Sequence, residues 1–249
     1  MEEIERLARL WPSSGRVTAL TGAGISVASG IPDFRSPGGL WSRYDPMEVA
    51  TAEALERDPK AVWRFILDAI SVMGRAKPNP AHAALADLEK AGFMSAVITQ
   101  NIDGLHQAAG SQNVVEFHGS MARYHCHQCG QAHDPAKALE LKAADIPWPC
   151  ESCGGVVRPD IVFFGESIPL DALDKSGQLA VASDLMLVVG TSCEVAPASS
   201  LPQRVKQRGG KVAEINMAPS RLSHIADARL QAKAEEALPR LAARLLGTG

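Results

Sequence analysis

The sequence predicts an α/β fold, a Rossmann-like parallel sheet domain with a small insertion. Three observations predict it. Short apolar runs alternate with amphipathic segments; most of those runs end in glycine or small polar residues; and two C-x2-C pairs interrupt the alternation between residues 126 and 153. With 249 residues, 46% hydrophobic and 21% charged, the chain can bury one large core plus an insertion. A formal net charge of -3 gives no broad electrostatic grip on nucleic acid, so direct nucleic-acid binding is not expected. No apolar run approaches the roughly 20 residues of a membrane span, and residues 1–5 carry neither a basic nor an apolar leader region. A soluble, cytoplasmic protein is the expectation.

The elements follow in order. Residues 17–20 form a short apolar strand that enters Thr21-Gly22-Ala23-Gly24. Residues 80–91 place Ala84, Leu85 and Leu88 on one helical face, residues 96–99 are a second strand, and residues 114–117 a third. After the cysteine segment come strands over 184–189, the longest apolar candidate, and 211–215, then a helix over about 235–246. Strand and helix at this spacing imply a mostly parallel sheet with helices on both faces, and in such sheets ligands bind at the carboxyl ends of strands.

Those ends carry residues that a core would not select. Gly22 and Gly24 lack side chains, which lets backbone N–H groups approach a phosphate or simply makes a tight turn; the full G-x-G-x-x-G spacing is absent. The second strand ends in Gln100-Asn101-Ile102-Asp103, able to bind an amide or ribose, or to cap a helix. The later strands end in Gly190-Thr191-Ser192 and in Asn216. Four strand ends of compatible chemistry point to a nucleotide. His118 follows the third strand, where an imidazole with an ordinary pKa near 6.5 suits a general base. His106, His125, His127 and His133 read instead as structurally satisfied or as surface of the cysteine module.

Cys126/Cys129 and Cys150/Cys153 are separated by 20 residues, each pair followed by a glycine, Gly130 or Gly154. Each C-x2-C turn can aim two sulfurs at one tetrahedral metal, so four thiolates predict a closed structural zinc site with no role in catalysis, and hence a small zinc-binding insertion domain. Disulfides and a redox-active C-x2-C are the alternatives; nothing in the N-terminus directs the chain to an oxidising compartment. Cys193 reads as a small buried hydrophobe.

Taken in order, Thr21-Gly22-Ala23-Gly24-Ile25-Ser26, Gly30-Ile31-Pro32-Asp33-Phe34-Arg35, Thr99-Gln100-Asn101-Ile102-Asp103, Phe117-His118-Gly119, the paired C-x2-C motifs, Arg158-Pro159-Asp160-Ile161-Val162-Phe163-Phe164-Gly165-Glu166 and Gly190-Thr191-Ser192 resemble a sirtuin, an NAD-dependent protein deacylase. The motifs run from residue 21 to 217, and the short extensions are similar to those of compact bacterial or archaeal members. The resemblance implies a large domain over residues 1–35, 80–120 and 156–249, and a small one over 36–79 and 121–155. It implies NAD bound as co-substrate by Gly22, Ala23, Gly24, Ser26, Pro32, Asp33, Phe34, Arg35, Gln100, Asn101, Ile102, Asp103, Gly190, Thr191, Ser192, Asn216, Met217 and Ala234, with His118 and Asn101 catalytic. Nicotinamide leaves, the acyl oxygen of acetyl-lysine attacks the ribose, and His118 removes a proton from a ribose hydroxyl; the products are lysine, nicotinamide and O-acetyl-ADP-ribose. No hydride moves, which agrees with the lack of an acidic strand end about 20 residues after Gly24, where Trp41-Ser42-Arg43-Tyr44 is loop-like.

Val162-Phe163-Phe164-Gly165 reads from composition equally as a core strand or an exposed edge. The resemblance favours an edge to which an acetyl-lysine peptide adds as a strand, with Glu166 and Val195 also at the peptide and the Val162 carbonyl accepting its amide. Family members that remove succinyl or malonyl groups carry a Tyr and an Arg three residues apart; Ile66 and Ala69 stand at the matching positions here, so an apolar acyl group is expected. Two other readings stay open: a mono-ADP-ribosyltransferase using the same NAD cleavage, and a zinc-ribbon interaction module without catalysis.

Overall fold

The structure is a computed structural model that describes residues 2–13, 15–33 and 43–248. Along the chain come α1 (Glu2–Arg9), β1 (Val17–Thr21), a 3-10 helix (Ala23–Ser29), α2 (Pro46–Val49), α3 (Ala52–Arg57), α4 (Pro59–Met73), α5 (Pro80–Lys90), β2 (Ala96–Thr99), α6 (Leu105–Ala108) and β3 (Val114–Glu116). They are followed by β4 (Gly119–Cys126), β5 (Ala132–His133), α7 (Pro135–Glu140), β6 (Val157–Ile161), α8 (Leu170–Ala182), β7 (Leu185–Val189), α9 (Leu201–Gln207), β8 (Lys211–Asn216), β9 (Ala228–Gln231) and α10 (Ala234–Leu246). The strands and helices expected over 17–20, 80–91, 96–99, 114–117, 184–189, 211–215 and 235–246 are present, with ends shifted by at most a residue; the strand expected over 162–165 is not. The pattern reading passed over α1, α8 and β9, whose short apolar stripes only the packed structure brings together.

Six strands in the order β3-β2-β1-β7-β8-β9 pair in parallel. Successive residues alternate between two cores, as a pleated strand requires. Leu185, Leu187 and Val189 pack with α1, α5 and α10, whereas Met186 and Val188 pack with α8 and α9. The chain leaves β1 toward β2 on one side and returns to its other side as β7. The connections that leave the carboxyl ends of β1 and β7 therefore run to opposite sides, which makes this the switch point at which such sheets bind ligands.

Four helices start the same way. An Asp or Asn side chain accepts a backbone N–H and proline fills the first helical position: Asp45-Pro46, Asp58-Pro59, Asn79-Pro80 and Asp134-Pro135. The cap oxygen satisfies a donor that has no intrahelical partner, and proline has no such donor to lose.

A second, antiparallel sheet of order β5-β4-β6 carries the four paired cysteines. Its core joins α2, α3 and α4 to the cysteine module through Trp63, Tyr124 and Trp148, with Trp63 and Trp148 rings 6.1 Å apart and Trp63 Nε1 donating to the Val157 carbonyl at 2.8 Å. Because β6 belongs to this sheet, residues 157–161 structurally accompany the cysteine module. No helix among the described residues is long and apolar enough to cross a membrane.

Candidate active site

At the switch point the two central strands touch backbone to backbone. The Gly22 amide donates to the Val189 carbonyl at 3.1 Å and the Gly24 amide to the Gly190 carbonyl at 2.8 Å. A Cβ on Gly24 would lie 2.7 Å from the Gly190 Cα, and Gly190 itself has φ 61°. The Gly22 and Gly24 amides are thus held inside the protein rather than turned toward an anion. The missing side chains serve the close approach of β1 and β7, which opens the crevice beyond them. The following element is a 3-10 helix over Ala23–Ser29.

Polar side chains line the floor of this crevice and are tied to one another. Asn101 Nδ2 donates to the Gly22 carbonyl and to Ser26 Oγ, both at 3.1 Å, and Ser26 Oγ donates to Asp103 Oδ2 at 2.7 Å. Asp103 Oδ1 also accepts the Leu105 amide at 3.0 Å, so the capping alternative is realised alongside the pocket. His82, absent from the sequence reading, faces Ser26 Oγ through Nε2 at 3.5 Å. Its Nδ1 accepts the Asn79 amide at 3.3 Å, so the proton sits on Nε2, and His82 cannot act as a base toward Ser26. Asn79 ties this helix start to the Ile25 carbonyl and Ser29 Oγ at 2.8 and 2.9 Å. Burial lowers the pKa of His82, opposed by Asp103. His106 stands against His82 at 4.9 Å between ring centres, with Nε2 2.9 Å from Thr21 Oγ1. Burial, then the neighbouring His82, bring His106 down to about 3. It is a neutral part of the core, its Nε2 paired with a side chain and its buried Nδ1 without a hydrogen-bond partner among the described residues.

His118 sits beside this floor. Its Nδ1 is 3.1 Å from the Gln100 carbonyl, which can only accept, so Nδ1 carries the proton and Nε2 keeps its lone pair. Burial lowers its pKa more than that hydrogen bond raises it, which keeps the ring neutral and basic near pH 7. Its own carbonyl accepts the Val162 amide at 2.9 Å. One residue therefore links the floor to the segment that follows β6.

On the other side of the crevice Gln100 Nε2 donates to Thr191 Oγ1 at 3.0 Å, and Asn216 Nδ2 to the Thr191 carbonyl at 3.1 Å. Glu214, 2% exposed inside β8, accepts from Asn216 Nδ2 at 2.8 Å, the Ser220 amide at 2.9 Å and Ser223 Oγ at 2.5 Å. Burial pushes its carboxyl up, but these donors outweigh it and hold the pKa below the usual range. A charge inside an otherwise apolar strand was the signal that the sequence reading passed over. Ser192 and Met217 are exposed, Ala23, Ile102, Pro32 and Asp33 half-buried, and Ala234 is buried at the start of α10. Phe34 and Arg35 lie outside the described residues.

Val162 to Gly165 is neither of the two strands expected. β6 ends at Ile161; Phe163 is 2% exposed while Phe164 is 42% exposed and bridges Thr51. Glu166 turns back onto Arg158, and Val195 is half-buried with its carbonyl on the Ser199 amide. Ile66 is buried in an apolar cluster and Ala69 is buried, and the nearby Arg64 is exposed.

The cysteine thiols converge away from this crevice. Their sulfurs all lie within 4.8 Å of one another, with Cys126 to Cys153 at 3.5 Å and Cys129 to Cys150 at 3.8 Å. These are far beyond a disulfide bond, whereas tetrahedral zinc with Zn–S about 2.3 Å sets its sulfurs about 3.8 Å apart. The two turns match: Gly130 and Gly154, at φ 73° and 75°, donate to the Cys126 and Cys150 carbonyls at 2.9 Å. That left-handed position explains the glycine after each pair. Of the remaining histidines, His125 approaches Asp160 at 3.7 Å, His127 approaches Glu56 at 3.6 Å and His133 packs on Trp148, none of them at the crevice. Cys193 is 2% exposed, its thiol pushed up to about 11 by burial.

The sequence pattern described as the Sir2 family matches residues 22–197. An "NAD-dependent protein deacylase 2" of Pyrobaculum aerophilum is 49% identical over 94% of this chain and 93% of its own length. A solved complex of a Sir2 homolog with NAD superposes with a TM-score of 0.91 at 41% identity, covering 98% of this chain and 94% of the other. A Sir2 variant solved with a deacetylated p53 peptide and 3'-O-acetyl ADP-ribose gives 0.89 at 38% identity, covering 97% and 98%.

Proposed function

The chain belongs to the Sir2 family, and we propose on that premise that it is an NAD-dependent protein-lysine deacetylase that cleaves NAD to nicotinamide and passes the acetyl group to ADP-ribose. NAD acts as co-substrate, and zinc held by Cys126, Cys129, Cys150 and Cys153 acts as a structural ion. The observation that carries this function is the position of His118, one ring nitrogen fixed by the cofactor floor and its backbone carbonyl on the Val162 amide.

When bound, NAD supplies an electrophilic ribose carbon and a leaving nicotinamide. The rest is done by the chain. Asn101 and Asp103 receive the nicotinamide end, with Ile102 between them; Ser26, Gly22, Ala23 and Gly24 line the pyrophosphate path with Pro32 and Asp33 above it. Gln100, Gly190, Thr191, Ser192, Asn216, Met217 and Ala234 form the adenosine side. His118 Nε2 takes the proton of a ribose hydroxyl so that this oxygen can accept the acetyl group. Support for this comes from its lowered pKa, which leaves it unprotonated at cellular pH. The crevice at the rim of the parallel sheet, beside the part built on the antiparallel sheet, receives both substrates.

An acetylated peptide enters along Val162, Phe163, Phe164 and Gly165, opposite Val195, and adds as a strand. The amides of Val162, Phe163 and Phe164 are bound within the protein, which supports a peptide donating to carbonyls on this segment. The burial of Ile66 in an apolar cluster, and of Ala69 near it in α4, supports an apolar acyl chain. The test is mass analysis of an acetyl-lysine peptide incubated with protein and NAD. Loss of acetyl with appearance of O-acetyl-ADP-ribose is expected; ADP-ribose attached to protein, with the peptide unchanged, would overturn the assignment in favour of ADP-ribosyl transfer.

A further inference from the structure

Arg158 is one of the few buried charges among the described residues, and its partners flank the segment just assigned to the peptide. Its side chain is 4% exposed. Nη1 donates to Glu166 Oε1 at 2.5 Å, Nη2 to Glu166 Oε2 at 2.9 Å and to the Ile161 carbonyl at 2.5 Å, and Nε to the Pro159 carbonyl at 3.3 Å. The guanidinium also lies 4.1 Å from the centre of the Phe163 ring. Glu166 Oε2 accepts the Phe163 amide at 2.8 Å as well, and the Glu166 amide closes the turn on the Phe163 carbonyl at 3.0 Å. Both carboxylate oxygens are thus engaged inside the protein, so Glu166 has no oxygen turned to a peptide by this arrangement.

We propose that Arg158 and Glu166 form a latch that sets the shape of residues 161–165 and thereby governs peptide affinity, as positioning residues that touch neither reactant. The inference rests on the reading of Val162 to Gly165 as the peptide-receiving segment. A bidentate fork holds direction as well as distance, which a single point charge does not. It joins the end of β6 to the residue beyond Gly165, and the Phe163 ring covers the buried guanidinium while the Glu166 side chain stays partly exposed. A buried ion pair adds little net stability compared with apolar residues of the same volume, so the feature specific to this one is the geometry it imposes. With the latch closed, Val162 and Phe164 keep their amides on the His118 and Ala50 carbonyls, and the peptide backbone finds its acceptors in register.

The test compares kinetics of the zinc-loaded full chain with those of Glu166→Gln. The carboxamide places an NH2 against the guanidinium and breaks the fork. KM for an acetyl-lysine peptide is expected to rise about tenfold, or ~1.4 kcal/mol, while KM for NAD and kcat at saturating peptide are retained. Arg158→Lys should raise the peptide KM likewise, since an ammonium cannot hold both oxygens and the Ile161 carbonyl together. If Glu166→Gln does not fold, as read by zinc content and melting temperature, Glu166→Asp is measured in its place. An unchanged peptide KM, or an equal rise in the KM for NAD, overturns the latch. The underlying strand reading has its own control: a wild-type assay with a peptide whose amide facing Val162 is replaced by an ester. A raised KM for the ester with an unaltered Glu166→Gln removes the latch alone; no ester effect removes the strand site. The ester penalty should shrink in Glu166→Gln, a coupling that a remote structural role would not produce.

Discussion

The two sheets hold their functional groups in opposite ways. At the rim of the parallel sheet, Asn101, Ser26, Asp103, Gln100, Thr191 and Asn216 are tied to one another and to strand-end carbonyls, so the crevice is organised by the chain alone. In the antiparallel sheet four thiols crowd within 4.8 Å, and the amide donors to their sulfurs are distant, such as Cys129 N at 3.5 Å from Cys126 Sγ. Four thiolates at that distance repel one another unless a cation sits among them. The rim needs no ligand to be in place. The module needs its metal.

Removing zinc should therefore break the comparison most sharply. Structural zinc supplies about 10 kcal/mol or more of folding free energy in small modules. Cys126→Ser, or exhaustive chelation, is expected to abolish zinc binding and to lose hydrogen-exchange protection from β4 to β6 while β1, β2 and β7 stay protected. Uniform loss of protection across both sheets would show that the rim depends on the metal as well.

Next in size is His118→Ala. Loss of a general base lowers turnover by about 10²- to 10⁴-fold. Melting temperature should hardly move, because the ring makes one side-chain hydrogen bond to backbone. A turnover near wild type, measured as deacetylated peptide, would remove His118 from the chemistry.

Gly24→Ala tests the rim from the packing side. A methyl group 2.7 Å from the Gly190 Cα must push β1 and β7 apart, an overpacking cost of about 1–3 kcal/mol. Calorimetry should show a lower melting temperature with full zinc content; an unchanged melting temperature would mean that the strand ends yield freely.

Acid is the mildest probe. The folded pKa values of His82, His106 and His118 all lie below the ordinary value, so between the folded and unfolded values the unfolded chain binds more protons. Their contribution is complete above about pH 6.5 and is lost as pH falls below it, a window that for His106 extends to about 3. Urea melts at stepped pH should show stability declining from there. The acid limb of kcat/KM should likewise fall below pH 6.5, with no loss at higher pH from His118. An acid limb above pH 6.5 would contradict the buried, neutral imidazole.

Much of the site was legible because its residues sit where local rules place them. Small and polar residues after apolar runs marked the strand ends, and a glycine after each C-x2-C marked two left-handed turns closing around one point. His82 was not legible: its Asn-Pro start signals a helix, but that the third residue of that helix reaches Ser26 depends on how α5 packs on the 3-10 segment. Glu214 and Arg158 escaped for a related reason. A charge in a strand announces a partner without saying which one, and their partners include Arg229 for Glu214 and Glu166 for Arg158, fifteen and eight residues away along the chain.

The sequence by itself determined the alternating α/β order, the rim residues and the four-sulfur site, because strand period, turn chemistry and metal-ligand spacing are local and survive in one dimension. Only the tertiary structure decided that Gly22 and Gly24 turn their amides into the sheet, that Val162 to Gly165 is a latched turn rather than a strand, and that two neutral histidines lie beneath the crevice. Those outcomes depend on which donor meets which acceptor across long stretches of chain, and burial makes each such pairing obligatory only after the strands and helices have come together.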